Sequence, residues 1–256
     1  MARGLAHIGV LRTLEQARVP IDMIAGVGMG AVCGGLYAAG VPLEQLERLA
    51  RDGELNPLVE RSWRQRLDTS STPYHNRPAC EAIARLLGTL DFEALETPFF
   101  SVAADLVSGQ TVVMDEGRLA EALAVALSPP GLTPAFSLGG RLLADGTPLN
   151  PLPTDLIERR GADLILASSV VPGQEVRSRR GARPPEKLNL ARSLLSLYDA
   201  LAQPAYLDRV DLAGQLLTLP VAEFPDTAFD RAGEIILRGQ EAARRQVQQI
   251  HQWMAE

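Results

Sequence analysis

Two stretches of the chain carry patterns able to do chemistry. The first is Gly26-Val27-Gly28-Met29-Gly30, set between the apolar run Ile21, Met23, Ile24, Ala25 and an Ala/Gly/Leu-rich segment ending at Gly40. That order reads as a strand, a sharp turn and a tightly packed helix. Small residues flanking such a turn let the backbone bend hard enough to push the middle residue into a pocket, which is the pattern of a nucleophile elbow. The middle residue is Gly28, which has no side chain with which to attack. The plainer alternative is a glycine-rich strand-to-helix turn of an ordinary α/β protein. The second stretch is Arg141 to Pro153, where Asp145-Gly146 directly follows a short apolar run. An aspartate held at a strand end facing the elbow has the chemistry of a general base, and a following glycine permits a backbone turn that other residues resist. Taken alone, Asp-Gly is a common turn signal. Its place behind the elbow and ahead of Leu149-Asn150-Pro151-Leu152-Pro153 favours the chemical reading.

These stretches need a scaffold, and the totals bound what it is. A chain of 256 residues with 46% hydrophobic and 22% charged residues is long enough to bury a full core without disulfides or metals. A net charge of -6 offers no basic excess to neutralise phosphates, so nucleic acid is not an expected partner. Cys33 and Cys80 lie in unrelated contexts, and His7, His75 and His251 make no cluster, so neither a metal nor another cofactor is expected. No apolar run of about 18 residues or more is present to span a membrane, and no signal peptide shows at the start. The expected location is cytoplasmic, with peripheral contact at the inner membrane face as an extension of it.

Apolar Leu5, Ile8, Leu11 and Leu14 predict a first helix over 4–17. Further helices are predicted over 41–55, 78–90, 118–127 and 154–160, with two more over 188–207 and 229–254. Core strands are predicted at 99–105 and 162–171, a returning hairpin strand at 110–115 after Ser108-Gly109, and a strand at 215–219. Residues 56–77 lose their period and read as a surface loop, in which Trp63 among Arg61, Arg64 and Arg66 suits an anionic lipid surface, though a solvated helix with one half-buried tryptophan is the better fit. Residues 172–187 form a basic, glycine-rich stretch with Arg177, Arg179, Arg180 and Arg183. One domain over 1–256 is expected: a core over 1–171, the exposed basic loop, and a mainly helical part over 188–256. A helix with no strand ahead of it is unusual for an α/β domain.

The segment from Ala2 to Gly40 resembles the start of bacterial patatin-like phospholipases, whose first motif is a glycine run followed by the arginine and glycine that here are Arg3 and Gly4. Asp105 to Gly109, Ser128 to Pro134 and Asp145-Gly146 match further motifs of that family, with Thr147 in place of a second small residue. The resemblance implies a three-layer α/β/α fold with a mostly parallel central sheet. It also implies that this chain lacks the family's first strand and its glycine run, since Met1 stands where the last of those glycines would be.

The same resemblance implies a serine–aspartate dyad acting on lipid acyl esters, with backbone N–H groups holding the oxyanion. Asp145 then matches the dyad base and Gly28 the nucleophile position, with Gly26 and Gly30 flanking the elbow. Arg3, Gly4 and Met29 match the backbone oxyanion positions. With no serine at 28, the expectation is a phospholipase-class member with impaired catalysis. Alternatives are a pseudoenzyme that binds lipid or a partner, a water activated by Asp145, or a different nucleophile among Ser128, Ser168 and Ser169. A decayed or mis-started reading frame is a further alternative. Gly28→Ser is expected to cost a little stability, because an elbow residue is backbone-strained.

Overall fold

The computed structural model describes residues 1–60, 74–170 and 190–255. The stretch around Trp63 and the basic stretch with Arg177 to Arg183 lie outside them. The chain opens with a tight 3-10 turn, Ala2–Leu5, and continues as helix α1, Ala6–Gln16. Strand β1, Ile24–Val27, leads through Gly28 into helix α2, Met29–Ala38, and then helix α3, Leu43–Arg51. Two short paired strands, β2 (Val59–Glu60) and β3 (Tyr74–His75), precede helix α4, Arg77–Leu87. Next come β4 (Phe99–Asp105), β5 (Thr111–Met114), helix α5 (Leu119–Ala126), β6 (Phe136–Leu138) and β7 (Arg141–Asp145). Helix α6 (Thr154–Arg159), β8 (Leu166–Ser169), helix α7 (Leu190–Val210), β9 (Gln215–Thr218) and helix α8 (Ala232–Met254) complete the order.

The α/β class and its three-layer arrangement hold, but the central sheet is mixed rather than mostly parallel. In its five strands only β1 and β4 run parallel, while β4–β5, β4–β7 and β6–β7 are antiparallel; β8 and β9 form a separate parallel pair. Two of the antiparallel pairs are hairpins: β5 returns along β4, and β6–β7 is closed by Gly139 and Gly140 with φ of 56° and 75°, as a two-residue reversal between twisted strands requires. Strand β6 is only three residues long, too short to show alternation. The first predicted helix also divides, since residues 2–5 wind as 3-10 before the α-helix begins.

Strand β4 is buried at every residue and acts as the ruler of the sheet. Along one edge β5 pairs with Ser101 to Ala104. The opposite edge is shared by two strands in tandem, because β1 pairs as far as Val27 with Val102 and β7 ends at Asp145 opposite Ala103. Neighbouring residues of β4 therefore set the end of β1 against the end of β7.

Helices α1 and α8 cross at close range because two glycines face backbone. A Cβ at Gly9 would stand 2.1 Å from the Ile236 carbonyl oxygen, and one at Gly239 would stand 2.0 Å from that of Ala6. Leu5, Ile8, Leu36, Leu46, Leu123 and Ile235 fill the layer beneath, each essentially inaccessible to solvent. Gly9→Ala should therefore lower stability by about 2–3 kcal/mol through forced separation of the two helices. Gly30→Ala, whose Cβ would find nothing nearer than 3.6 Å, should cost less than about 1 kcal/mol. Denaturant midpoints of the two variants check the contrast.

Candidate functional site

The elbow has the backbone its sequence predicts. Gly28 caps α2 with φ 55° and ψ -134°, a conformation that L side chains rarely adopt. Gly26 is required by space, since its Cβ would lie 2.6 Å from the Cα of Ala31. Gly30 is not, because only the His7 ring lies near it. A Cβ built on Gly28 points at Asp145: it would sit 3.0 Å from Oδ2, 3.4 Å from Oδ1 and 3.0 Å from Thr147 Oγ1. The two sequence motifs, more than a hundred residues apart, thus face each other across less than the width of a side chain.

Asp145 is 2% exposed. Its Oδ1 accepts hydrogen bonds from Thr147 N–H at 2.9 Å and Thr147 Oγ1 at 2.7 Å, which fixes the carboxylate and leaves Oδ2 toward residue 28. Burial raises the pKa of Asp145 above its ordinary 3.8, while the Tyr198 hydroxyl, the Thr147 N–H and the Met1 ammonium oppose that rise. Tyr198, brought in by α7, is buried with its hydroxyl facing Asp145 but makes no well-formed hydrogen bond. Burial, then the charge of Asp145, pushes its own pKa far above 10. Gly146 has no positive φ; a Cβ there would strike Val102, 2.8 Å from its carbonyl oxygen, so close approach to β4 rather than a turn demands glycine.

The matched oxyanion positions are not equivalent. Met29 is the first residue of α2, where a backbone N–H has no acceptor within the helix. Gly4 N–H already donates to the Met1 carbonyl at 2.9 Å, so it is not free to hold an oxyanion. Gly4 instead packs on the elbow, where a Cβ would stand 2.6 Å from that of Met29. Arg3 contributes its side chain: buried to 6% exposure, it donates from Nε to Asp226 Oδ1 at 2.8 Å and from Nη2 to Asp199 Oδ2 at 3.0 Å. Burial works against its charge, yet the two carboxylates hold its pKa above the ordinary guanidinium value. Because Asp199 follows Tyr198, this clamp also sets Tyr198 over Asp145.

Other candidate nucleophiles are engaged elsewhere. Ser128 is fully buried, donating to the Ala124 carbonyl at 2.8 Å and accepting from Asn76. Ser168 Oγ lies 2.9 Å from Nδ1 of His7, whose pKa burial and the Met1 ammonium push down to about 4. Burial raises the Cys33 thiol to about 12 and the Cys80 thiol to about 11, so neither is a thiolate at neutral pH. Among the described residues no group of three or more His, Cys, Asp or Glu is placed to hold a metal ion, and no helix is long and apolar enough to cross a membrane. Sequence reasoning missed Tyr198 and understated Thr147. For Thr147 the Asp-x-Thr spacing was a usable signal; for Tyr198 no local pattern existed.

A strand–elbow–helix with a buried aspartate opposite defines the layout of the serine–aspartate acyl hydrolases. Residues 1–157 match the family model described as patatin-like phospholipase, and the chain belongs to that family of lipid hydrolases. An uncharacterized NTE family protein of Mycobacterium bovis is 34% identical over 91% of this chain and 65% of its own. Patatin-like phospholipase domain-containing protein 6 of Homo sapiens is 28% identical over 66% of this chain and 12% of its own. The neuropathy target esterase sws of Drosophila melanogaster is 29% identical over 66% and 12%. The chain thus spans 65% of the length of the mycobacterial relative and a small part of the animal ones.

Raised pKa values carry a stability consequence. Between 3.8 and its higher folded pKa, Asp145 holds a proton in the folded state that the unfolded chain has released, so its contribution to stability falls as pH rises through that window. Asp145→Asn keeps an acceptor for Thr147 and carries no charge. Its stability relative to the parent should increase with pH above 3.8, by at most about 1.4 kcal/mol per pH unit, and then level off. Urea unfolding across pH 4 to 8 measures this; a difference that shrinks with rising pH would contradict the burial argument.

Proposed function

We propose that this chain is a lipid acyl-ester hydrolase of the phospholipase and lysophospholipase class whose catalysis is impaired at one atom position, the missing side chain of residue 28. The observation that carries this reading is the 3.0 Å between a Cβ at Gly28 and Asp145 Oδ2, which is the space a serine would use to hand its proton to the aspartate. Asp145 serves as the base, Thr147 holds its far oxygen, and Met29 N–H supports the oxyanion. Leu197 and Leu201 on α7, 54% and 56% exposed and flanking Tyr198, support contact with lipid acyl chains or a membrane surface. A cytoplasmic, peripherally bound protein organised as one domain over 1–256 accords with this, with no cofactor needed for the chemistry.

A second reading, a pseudoenzyme that binds lipid or a partner, is supported by the absence of a side chain at residue 28 together with an Asp145 carboxylate that Thr147 still holds in place. Both readings rest on the same elbow and aspartate, and hydrolysis of a short p-nitrophenyl ester and of a lysophospholipid by the protein and by Gly28→Ser tests that assignment. The expected result is activity at buffer background for the protein and at least about a hundredfold more for Gly28→Ser, short of the roughly millionfold effect of a complete dyad because one oxyanion donor is engaged elsewhere. A bare aspartate is a weak base for water, so equal activity in both forms would defeat the assignment.

A further inference from the structure

Three groups around residue 28 have hydrogen-bonding capacity that the described residues leave unused. The Asp145 side chain is buried, and both of its well-formed hydrogen bonds, from Thr147 N–H and Oγ1, end on Oδ1. Oδ2 faces residue 28, where glycine offers no donor. Tyr198 is 9% exposed, and its hydroxyl is buried beside the same carboxylate without a well-formed hydrogen bond among the described residues. Met29 N–H opens the 10-residue helix α2 and has no acceptor within it. Buried polar groups in this condition are costly. Together the three define what is missing: one donor for Oδ2, and one acceptor for the Tyr198 hydroxyl and Met29 N–H.

An ester has acceptors only, and at Oδ2 it would set lone pairs against lone pairs. A free carboxylic acid has both kinds of group, an O–H that donates and a carbonyl oxygen that accepts. We infer that glycine at position 28 makes this site a receptor for free carboxylic acids with an apolar chain, the acid O–H on Asp145 Oδ2 and its carbonyl oxygen facing Met29 N–H and the Tyr198 hydroxyl. The inference rests on the second reading above, the pseudoenzyme that binds lipid, and commits it to the acid in preference to the ester. The chain leaves along α7. Leu194, Leu197 and Leu201 lie at i, i+3 and i+7, one stripe beside Tyr198. Leu194 reaches Gly131, where a Cβ would stand 3.5 Å from its Cδ1, and Leu197 and Leu201 are exposed. Gly131 follows Ser128, whose carbonyl accepts from Asp145 N–H at 2.9 Å, so the stripe runs from beside the carboxylate to the surface.

The bound acid and Asp145 share one proton, because two carboxylates in one buried site do not both stay ionised. The groups acting on Asp145 are the Tyr198 hydroxyl with Asp199 behind it on α7, Thr147 beside it and the Met1 ammonium, while Arg3 is paired with Asp199 and Asp226. Burial raises the Asp145 pKa. Below that raised value, with the ligand ionised, Asp145 itself brings the proton and affinity is level. Above it the proton must come from solvent, and affinity falls by up to about tenfold per pH unit.

Titration calorimetry with octanoate, octanamide and methyl octanoate, from about pH 6 to about pH 9 in two buffers of different ionisation enthalpy, tests this on the protein as it stands. Octanamide keeps a donor and an acceptor but does not titrate. It should bind at least about tenfold more tightly than the ester at every pH, the effect of one buried acceptor left unpaired. Octanoate should approach octanamide as the pH is lowered, and should weaken as the pH rises while taking up close to about one proton per molecule bound; octanamide should take up none. In Asp145→Asn the side-chain N–H donates to the carboxylate directly, so octanoate should bind without proton uptake. Ester binding equal to that of the amide would overturn the inference and leave the lipid-binding reading standing, whereas no binding of any of the three would overturn both. Proton uptake that persists in Asp145→Asn would also overturn the inference, since the proton would then belong to another group.

Discussion

Everything at the site depends on one edge of β4. Val102 and Ala103 are consecutive, and they take Val27 from a strand running one way and Asp145 from a strand running the other. Because the parallel strand takes the N-terminal part of that edge and the antiparallel strand the rest, the two meet at their C-terminal ends. The elbow and the aspartate are those two ends. Gly146 secures the junction, because any side chain there would push β7 off the Val102 carbonyl. The facing of residue 28 and Asp145 is therefore a property of sheet register, independent of which residue occupies the elbow.

Around that junction the polar groups form a closed set with one member missing. Thr147 holds one oxygen of Asp145, Tyr198 stands over the carboxylate, and Arg3 keeps Tyr198 there through Asp199 and ties the arrangement to Asp226. Burying a carboxylate is unfavourable unless donors surround it, and these residues supply most of that compensation. A serine hydroxyl at 28 would supply one more donor to the free oxygen. Glycine at that position relieves the backbone strain of the elbow and leaves the oxygen open. Glycine at position 28 thus leaves the Asp145 carboxylate with one donor fewer than a hydroxyl-bearing residue would give it.

The parts legible in the sequence were those fixed by local pattern. Gly26 to Gly30 announced the elbow because apolar strand, small-residue turn and Ala/Gly-rich helix are each short-range signals, and Phe99 to Asp105 announced the central strand by its unbroken apolar run. Asp145-Gly146 was legible only through its order in the chain. What was not legible arose from long-range packing. Tyr198 sits in a helix whose pattern shows no reason for that residue, and its role comes from a clamp between positions 3 and 199. The use of Gly4 N–H in a 3-10 turn, the three-residue strand β6 and the mixed character of the sheet likewise follow from contacts that no sequence window contains. At Gly146 the structure shows close approach to Val102, where the sequence reading expected a backbone turn.

The most direct test of the central claim, that residue 28 and Asp145 form an intact dyad geometry lacking only a side chain, is covalent labelling. A fluorophosphonate would be offered to the protein, to Gly28→Ser and to Gly28→Ser combined with Asp145→Asn, and the modified residue located by tandem mass spectrometry. The account predicts no label on the protein, a label at position 28 in the single variant, and its loss when Asp145 is also replaced. A label on another serine in all three forms, or an undiminished label at 28 without Asp145, would show that the elbow and the aspartate do not work as a pair.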